Sequence, residues 1–149
     1  MPKLSNNTEK QPRIISFVCN WGAYSAVEMA GVNGIAYPAS VKLVRLTCLG
    51  RLHLGLLLKT FELGADGVIL LGCQTEHCHY DSGMAKAKEV FAQVRQVLGL
   101  LGIEKQRLEL VEVPMGDGEF VAEKLSGFET SIRQLLTAGR AELQPTFRI

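Results

Sequence analysis

The chain has 149 residues, of which 47% are hydrophobic and 21% are charged, and this suits a single folded domain with its own core. Its 16 basic and 15 acidic residues leave a net charge of +1, which argues against nucleic-acid binding because that binding needs a basic excess or stripe. Four cysteines in this length are too few for a disulfide-stapled small domain.

The beginning of the chain and its apolar runs indicate where in the cell the protein is located. Residues 1–12 are polar and lack the apolar stretch of a signal peptide, so we interpret them as a flexible arm. The longest apolar runs, such as 54–58 and 68–71, are far shorter than the ~20 residues of a membrane span. We therefore expect a cytoplasmic protein that does not bind a membrane, with reduced cysteines.

Segments typical of strands and helices alternate along the chain. In chain order, the pattern predicts a strand at 14–18, a helix at 24–31, a strand at 41–46, a helix at 53–63, a strand at 67–71, a helix at 82–101, a strand at 108–113 and a helix with an apolar stripe from 121 to 135. The helix at 53–63 is apolar nearly all round, which predicts that it is buried. Gly64 fits the position just after its end.

This alternation is typical of crossover units with a parallel sheet between two helix layers. It predicts an α/β fold, a flavodoxin-like three-layer sandwich with a four-stranded parallel sheet and helices on both faces. Strands 14–18 and 67–71 are the most apolar and belong in the centre, whereas 41–46 and 108–113 carry charges and suit the edges. The simplest strand order is 2-1-3-4. The folded domain should span 13–138, followed by a loose polar tail at 139–149.

The cysteines follow the predicted strands. Cys19 ends the first strand, Cys48 follows the second, and Cys73 follows the third. Because parallel strands place their carboxyl ends at one edge, about 4.8 Å apart, these three thiols should span only about 10 Å. The loop after the third strand can bring Cys78 to the same place.

Four converging thiols have several explanations. They could be small buried hydrophobes, since free cysteine is among the most buried residues. A structural zinc site is possible, although such sites normally show paired C-x₂₋₄-C knuckles, and this chain has one C-x₄-C and two single cysteines. A thioredoxin-type pair needs C-x-x-C, which is absent, and a catalytic pair of Cys78 with His79 is weak because adjacent side chains rarely face each other. An iron–sulfur cluster fits best because its ligands can be scattered singly.

Five further residues flank the cysteines: Trp21, Tyr24, Arg51, His77 and His79. The two aromatic residues either cap the edge of the core or shield a cluster from water. The arginine either donates to a cluster sulfur or a partner's carboxylate, or is simply solvated. Histidine ligation would resemble a Rieske site, which uses two histidines and two cysteines, and four cysteines make it unnecessary.

The segments Val18–Trp21, Arg45–Arg51, Gly64–Val68 and Gly72–Tyr80 resemble the delta (iron–sulfur) subunit of methyl-viologen-reducing, F420-non-reducing hydrogenase. The resemblance covers roughly residues 14–137. It implies one [2Fe-2S] cluster and no catalysis by the chain itself. Relatives commonly carry additional cysteines beside the first motif, where this chain does not.

Carried over residue by residue, the resemblance implies that Cys19, Cys48, Cys73 and Cys78 are the metal ligands. It also implies electron transfer between a hydrogenase or formate dehydrogenase module and the heterodisulfide reductase A-like flavoprotein of larger complexes. Those complexes belong to anaerobes and carry out electron bifurcation. From the residues alone, a structural zinc-binding docking subunit without redox activity remains the alternative.

Overall fold

The computed structural model describes residues 10–143. The strands are β1 (Ile14–Cys19), β2 (Val41–Leu46), β3 (Gly67–Cys73) and β4 (Leu108–Val113), and the helices are α1 (Gly22–Val32), α2 (Leu54–Glu62), α3 (Gly83–Leu100) and α4 (Gly118–Leu143). Three single-turn 3₁₀ helices lie at Leu49–Arg51, Thr75–His77 and Lys105–Arg107. The strand order is β2-β1-β3-β4 and every pairing is parallel, which confirms the predicted α/β sandwich and its 2-1-3-4 order.

The two layers of helices explain which strands are buried. α1 packs against α4, and α2 packs against α3, so that the pairs cover the sheet from opposite sides. β3 is buried at every position, as expected for a central strand covered on both faces. β2 is buried only at Val41, as expected for an edge strand. The carboxyl ends of all four strands therefore meet at one edge of a well-covered sheet.

The second helix differs from its prediction. Within Leu54–Glu62 only Leu57 is buried, so the expectation of a buried helix was wrong. α2 is an outer-layer helix, and most of its other apolar side chains are half-buried because one face points away from the sheet. Gly64 has a φ of +103° and follows the helix end at the position that the sequence indicated.

The last helix is longer than its apolar stripe. Val121, Leu125, Phe128 and Ile132 are buried as the pattern indicates, but α4 continues to Leu143, beyond residue 139 where we placed the start of the tail. Residues 1–9 of the expected arm and 144–149 of the expected tail lie outside the described residues. No helix in the described part of the chain combines the length and the apolar character needed to cross a membrane.

Candidate metal centre

Four thiols meet at the carboxyl edge of the sheet. Cys19 is the last residue of β1 and Cys73 is the last residue of β3. Cys48 precedes the single-turn helix after β2, and Cys78 follows the single-turn helix after β3. All four are free cysteines, of which three are buried and Cys48 is partly exposed. The structure thus brings together the four residues that the sequence singled out.

The thiols lie close enough to shift one another's pKa. Burial, followed by the charge of Cys19 and the contact with Cys78, raises the pKa of the Cys73 thiol to about 12. Burial also raises the pKa of Cys48, although the Gly50 amide opposes the rise. Crowded, buried thiols resist ionisation unless a positive charge compensates, and a thiolate-bound metal supplies that charge.

The pKa of Cys78 shifts in the opposite direction because this thiol faces the start of α3. Burial tends to raise its pKa, but the backbone amides of Tyr80, Met84 and Gly83, together with a contact to a neighbouring thiol, lower it below the ordinary value. The helix begins after Ser82, whose side chain makes no capping hydrogen bond. Free amides at a helix N-terminus stabilise negative charge. The positive end of α3 therefore points at the Cys78 thiol.

Backbone amides also reach two of the other thiols. The amide of Trp21 donates to Cys19 Sγ over 3.4 Å. The amide of Gly50 donates to Cys48 Sγ over 3.3 Å. Hydrogen bonds of this kind orient a ligating sulfur and tune the potential of the metal group that it holds.

Two glycines allow the thiols of different loops to meet. A Cβ on Gly83 would overlap Cys48 Sγ and would lie 3.2 Å from Cys78 Sγ. A Cβ on Gly50 would lie 2.9 Å from Gly83 Cα. The turn after β2 and the start of α3 can approach this closely only because neither glycine carries a side chain. Sequence reasoning missed Gly83, whose signal is its place at the first position of the helix after the last cysteine.

An exposed aromatic stack lies beside the thiols. The rings of Trp21 and His79 are nearly parallel, at 18°, with centroids 3.8 Å apart. Trp21 Nε1 donates a hydrogen bond to the Tyr80 hydroxyl over 3.3 Å. Trp21 is 41% exposed, so it covers the loops outside the core. Of the two aromatic residues that the sequence proposed as a shield, Trp21 is part of this stack.

The remaining flanking residues have different surroundings. Tyr24 packs beneath Arg45, whose guanidinium carbon lies 3.8 Å from the ring centroid, so Tyr24 braces the end of β2. Arg51 is exposed and lines a pocket together with Cys48. His77 is also exposed, on the turn between the last two cysteines.

A polar cluster holds the loop between Cys73 and Cys78. The Thr75 hydroxyl donates to Glu112 Oε1 on β4. Lys88 Nζ on α3 donates to Thr75 Oγ1 over 2.8 Å and pairs with Glu112 over 2.8 Å. The hydrogen bonds from Lys88 and Thr75 hold the pKa of Glu112 below its ordinary value. The cluster ties the cysteine loop to the helix that follows it and to β4, whose Glu112 is 37 residues from Thr75.

Glu112→Gln is expected to accelerate amide hydrogen exchange in the loop at 74–82, because the amide is a weaker partner for Lys88 than the carboxylate is. The pKa of Glu112 is lowered from its ordinary value of 4.5, so its contribution is complete above that pH and is lost as the pH falls through the lowered pKa. The measurement is hydrogen exchange read by mass spectrometry at neutral pH. Glu104→Gln is the control, since Glu104 pairs with Arg107 before β4 at the opposite edge of the sheet. Equal loop exchange in the two variants would contradict a clamping role.

The chemistry of the donors fits a metal group held by thiolates. Four thiols lie near one edge of the sheet, backbone amides donate to their sulfurs, and the positive end of α3 lies against Cys78. Among residues 10–143, no three or more His, Cys, Asp or Glu side chains already form a site for a metal ion. Thiols that receive hydrogen bonds from backbone amides are the kind of donor that a group ligated by four thiolates requires.

The chain is similar to known proteins over most of its length. Residues 14–135 match the family described as methyl-viologen-reducing hydrogenase, delta subunit. The chain is 39% identical to the F420-non-reducing hydrogenase iron-sulfur subunit of Archaeoglobus profundus over 127 residues, which are 85% of this chain and 93% of that protein. It is 38% identical to the F420-non-reducing hydrogenase vhc iron-sulfur subunit of Methanococcus voltae over 109 residues, 73% of this chain and 76% of the relative.

A second kind of relative is much longer than this chain. The chain is 28% identical over 124 residues to the A polypeptide of the ferredoxin/F(420)H(2)-dependent CoB-CoM heterodisulfide reductase of Methanosarcina acetivorans. The match covers 83% of this chain but only 16% of that protein. A segment similar to most of the chain is thus part of a larger polypeptide in that organism.

Proposed function

Because the chain belongs to the methyl-viologen-reducing hydrogenase delta subunit family, we propose that it is an iron–sulfur electron-transfer subunit of a complex that joins a hydrogenase to a heterodisulfide reductase. The observation that carries the proposal is the convergence of four free thiols at the carboxyl edge of the sheet. We further propose that these thiols hold one [2Fe-2S] cluster. When bound, such a cluster takes up and releases electrons without any catalytic residue of the chain.

The relatives suggest the partners. Several are named as iron-sulfur subunits of F420-non-reducing hydrogenase, and one longer relative is a heterodisulfide reductase A polypeptide that contains a segment similar to this chain. Segments that share a polypeptide in one organism commonly contact each other where they are separate chains. We propose that the chain passes electrons between a hydrogenase or formate dehydrogenase module and a heterodisulfide reductase A-like flavoprotein. The setting would be an electron-bifurcating complex in the cytoplasm of an anaerobe.

Each part of the site has a role in this proposal. Cys19, Cys48, Cys73 and Cys78 are the ligands. The first amides of α3 stabilise the negative charge of the thiolates, and the Trp21–His79–Tyr80 stack keeps water away and lowers the local dielectric constant. The imidazole of His79 is engaged in this stack, so we assign it to the surroundings of the cluster and not to its ligands.

Metal and sulfide analysis of the anaerobically purified chain tests the proposal. We expect about two iron and about two sulfide per chain, and a visible absorption that bleaches when dithionite is added. A colourless chain that binds zinc and ignores dithionite would establish the structural zinc alternative instead. Rapid alkylation of a single cysteine in a metal-free, active protein would indicate a thiol enzyme. The iron-sulfur names of the relatives favour the cluster over both alternatives.

A further inference from the structure

Cys48 is the most accessible of the four thiols. The other three are at most 9% exposed, whereas Cys48 falls in the half-buried range. It lines a pocket of about 360 Å³ that opens at the carboxyl edge of the sheet. The wall also includes Thr47, Arg51, Tyr80, Ser82 and Lys86.

Apart from the Cys48 thiolate that would bind the cluster, the charged side chains that line this pocket, Arg51 and Lys86, are both positive. Arg51 and Lys86 are exposed, and neither takes part in an ion pair among residues 10–143. No carboxylate lines the pocket, and Asp81, although it precedes Ser82, is not part of the wall. The whole chain has a net charge of only +1, so the pairing of two basic side chains here is a local feature. A concave positive surface of this kind attracts and orients an anionic partner.

The geometry favours carboxylates on a protein over a bound phosphate. A phosphate site would use the free amides at the start of α3, but the amides of Gly83 and Met84 already point at Cys78. What remains are two long, mobile cations over an open pocket, which suits several carboxylates on a partner's surface. Tyr80, which lines the pocket and is 46% exposed, adds an aromatic contact there.

We infer that this pocket is the docking site for an acidic segment of the electron-transfer partner, and that electrons cross the protein surface at Cys48. The inference rests on the proposed function, because it assumes that Cys48 holds the redox group. Docking between Arg51 and Lys86 would place the partner's own cofactor against the most accessible ligand. The other three thiols are at most 9% exposed.

Charge reversal at Lys86 tests the inference. In Lys86→Glu, oxidation of the reduced chain by anionic ferricyanide should slow about tenfold at low ionic strength, while oxidation by the cationic tris(phenanthroline)cobalt(III) should accelerate. Both differences should shrink at about 1 M salt, where screening is strong. In a separate calorimetric titration, affinity for the recombinant heterodisulfide reductase A-like flavoprotein of the same organism should fall by a similar factor.

Lys124→Glu is the matched control, because it makes the same charge change on an exposed helical lysine of α4, in the opposite helix layer. It should leave both rates and the binding close to those of the parent chain. If Lys86→Glu behaves like Lys124→Glu in both readouts, the docking site is elsewhere. Lys86→Gln removes the positive charge without adding a negative one. It should therefore change the two rates and the affinity by an intermediate amount, and this graded response distinguishes an effect of charge from misfolding. An iron-free parent chain would instead refute the proposed function, so the two failures are distinguishable.

Discussion

Replacing Cys48 with serine is expected to abolish stable binding of the cluster. A serine hydroxyl ionises far less readily than a thiol and is a harder ligand. It is therefore a poor replacement for the cysteine thiolate as a ligand of iron, which prefers soft thiolates here. Even loss of a residue that only supports a ligand costs about 10–100-fold in metal affinity, and loss of a ligand should cost more. The chain has four cysteines, so no spare thiol can take the place of Cys48. Iron content, sulfide content and visible absorption measure the effect.

Cys48 is the informative position because it is only half-buried. Serine at the buried Cys73 would add a polar group inside the core, and loss of the cluster could then follow from misfolding. Thr47→Ala is the matched control, since Thr47 is adjacent, is not fully buried, and its replacement retains all four thiols. The circular dichroism of the two metal-free variants should be the same. Full iron and an unchanged spectrum in Cys48→Ser would show that Cys48 is not a ligand.

The positions of three cysteines could be predicted because they depend on a simple rule. Cys19 and Cys73 end neighbouring central strands, and Cys48 follows the strand beside β1. Once the alternation of strands and helices indicates a parallel sheet, the order of its strands determines which loops share an edge. The sequence pattern was sufficient for this step because burial makes central strands continuously apolar, as in β3.

Other features depend on contacts that sequence reasoning cannot place. Thr75, Lys88 and Glu112 are ordinary surface residue types, and only the packing of β4 and α3 against the loop brings them together. The apolar composition of α2 predicted burial, yet only one residue of the helix is buried, because its outer face points away from the sheet. Apolar content indicates which residues can be buried, whereas the number of layers decides which of them are buried.

Gly83→Ala is expected to prevent assembly of the cluster although it removes no ligand. The new Cβ would overlap Cys48 Sγ and would lie 3.2 Å from Cys78 Sγ, so at least one thiol must move. Ligands need to be held within about 0.5 Å of a productive geometry, so moving a thiol to relieve this overlap should disturb the site. The helix itself should not suffer, because alanine is a better helix former than glycine. Bound iron should therefore fall about 10–100-fold while the fold of the metal-free chain is retained.

The glycines of the chain provide the control for this experiment. Gly31 lies in α1, and a Cβ there meets no atom within 4 Å, so Gly31→Ala should keep the full iron content and raise the free energy of unfolding by roughly 0.5–1 kcal/mol. Gly50→Ala should also lose bound iron, because it disturbs the same contact between the two loops: its Cβ would lie 2.9 Å from Gly83 Cα. If Gly83→Ala binds iron as well as Gly31→Ala does, the thiols of Cys48 and Cys78 do not meet across this glycine. If iron is lost in Gly83→Ala and Gly50→Ala but retained in Gly31→Ala, the close approach of the two loops is itself a requirement of the site.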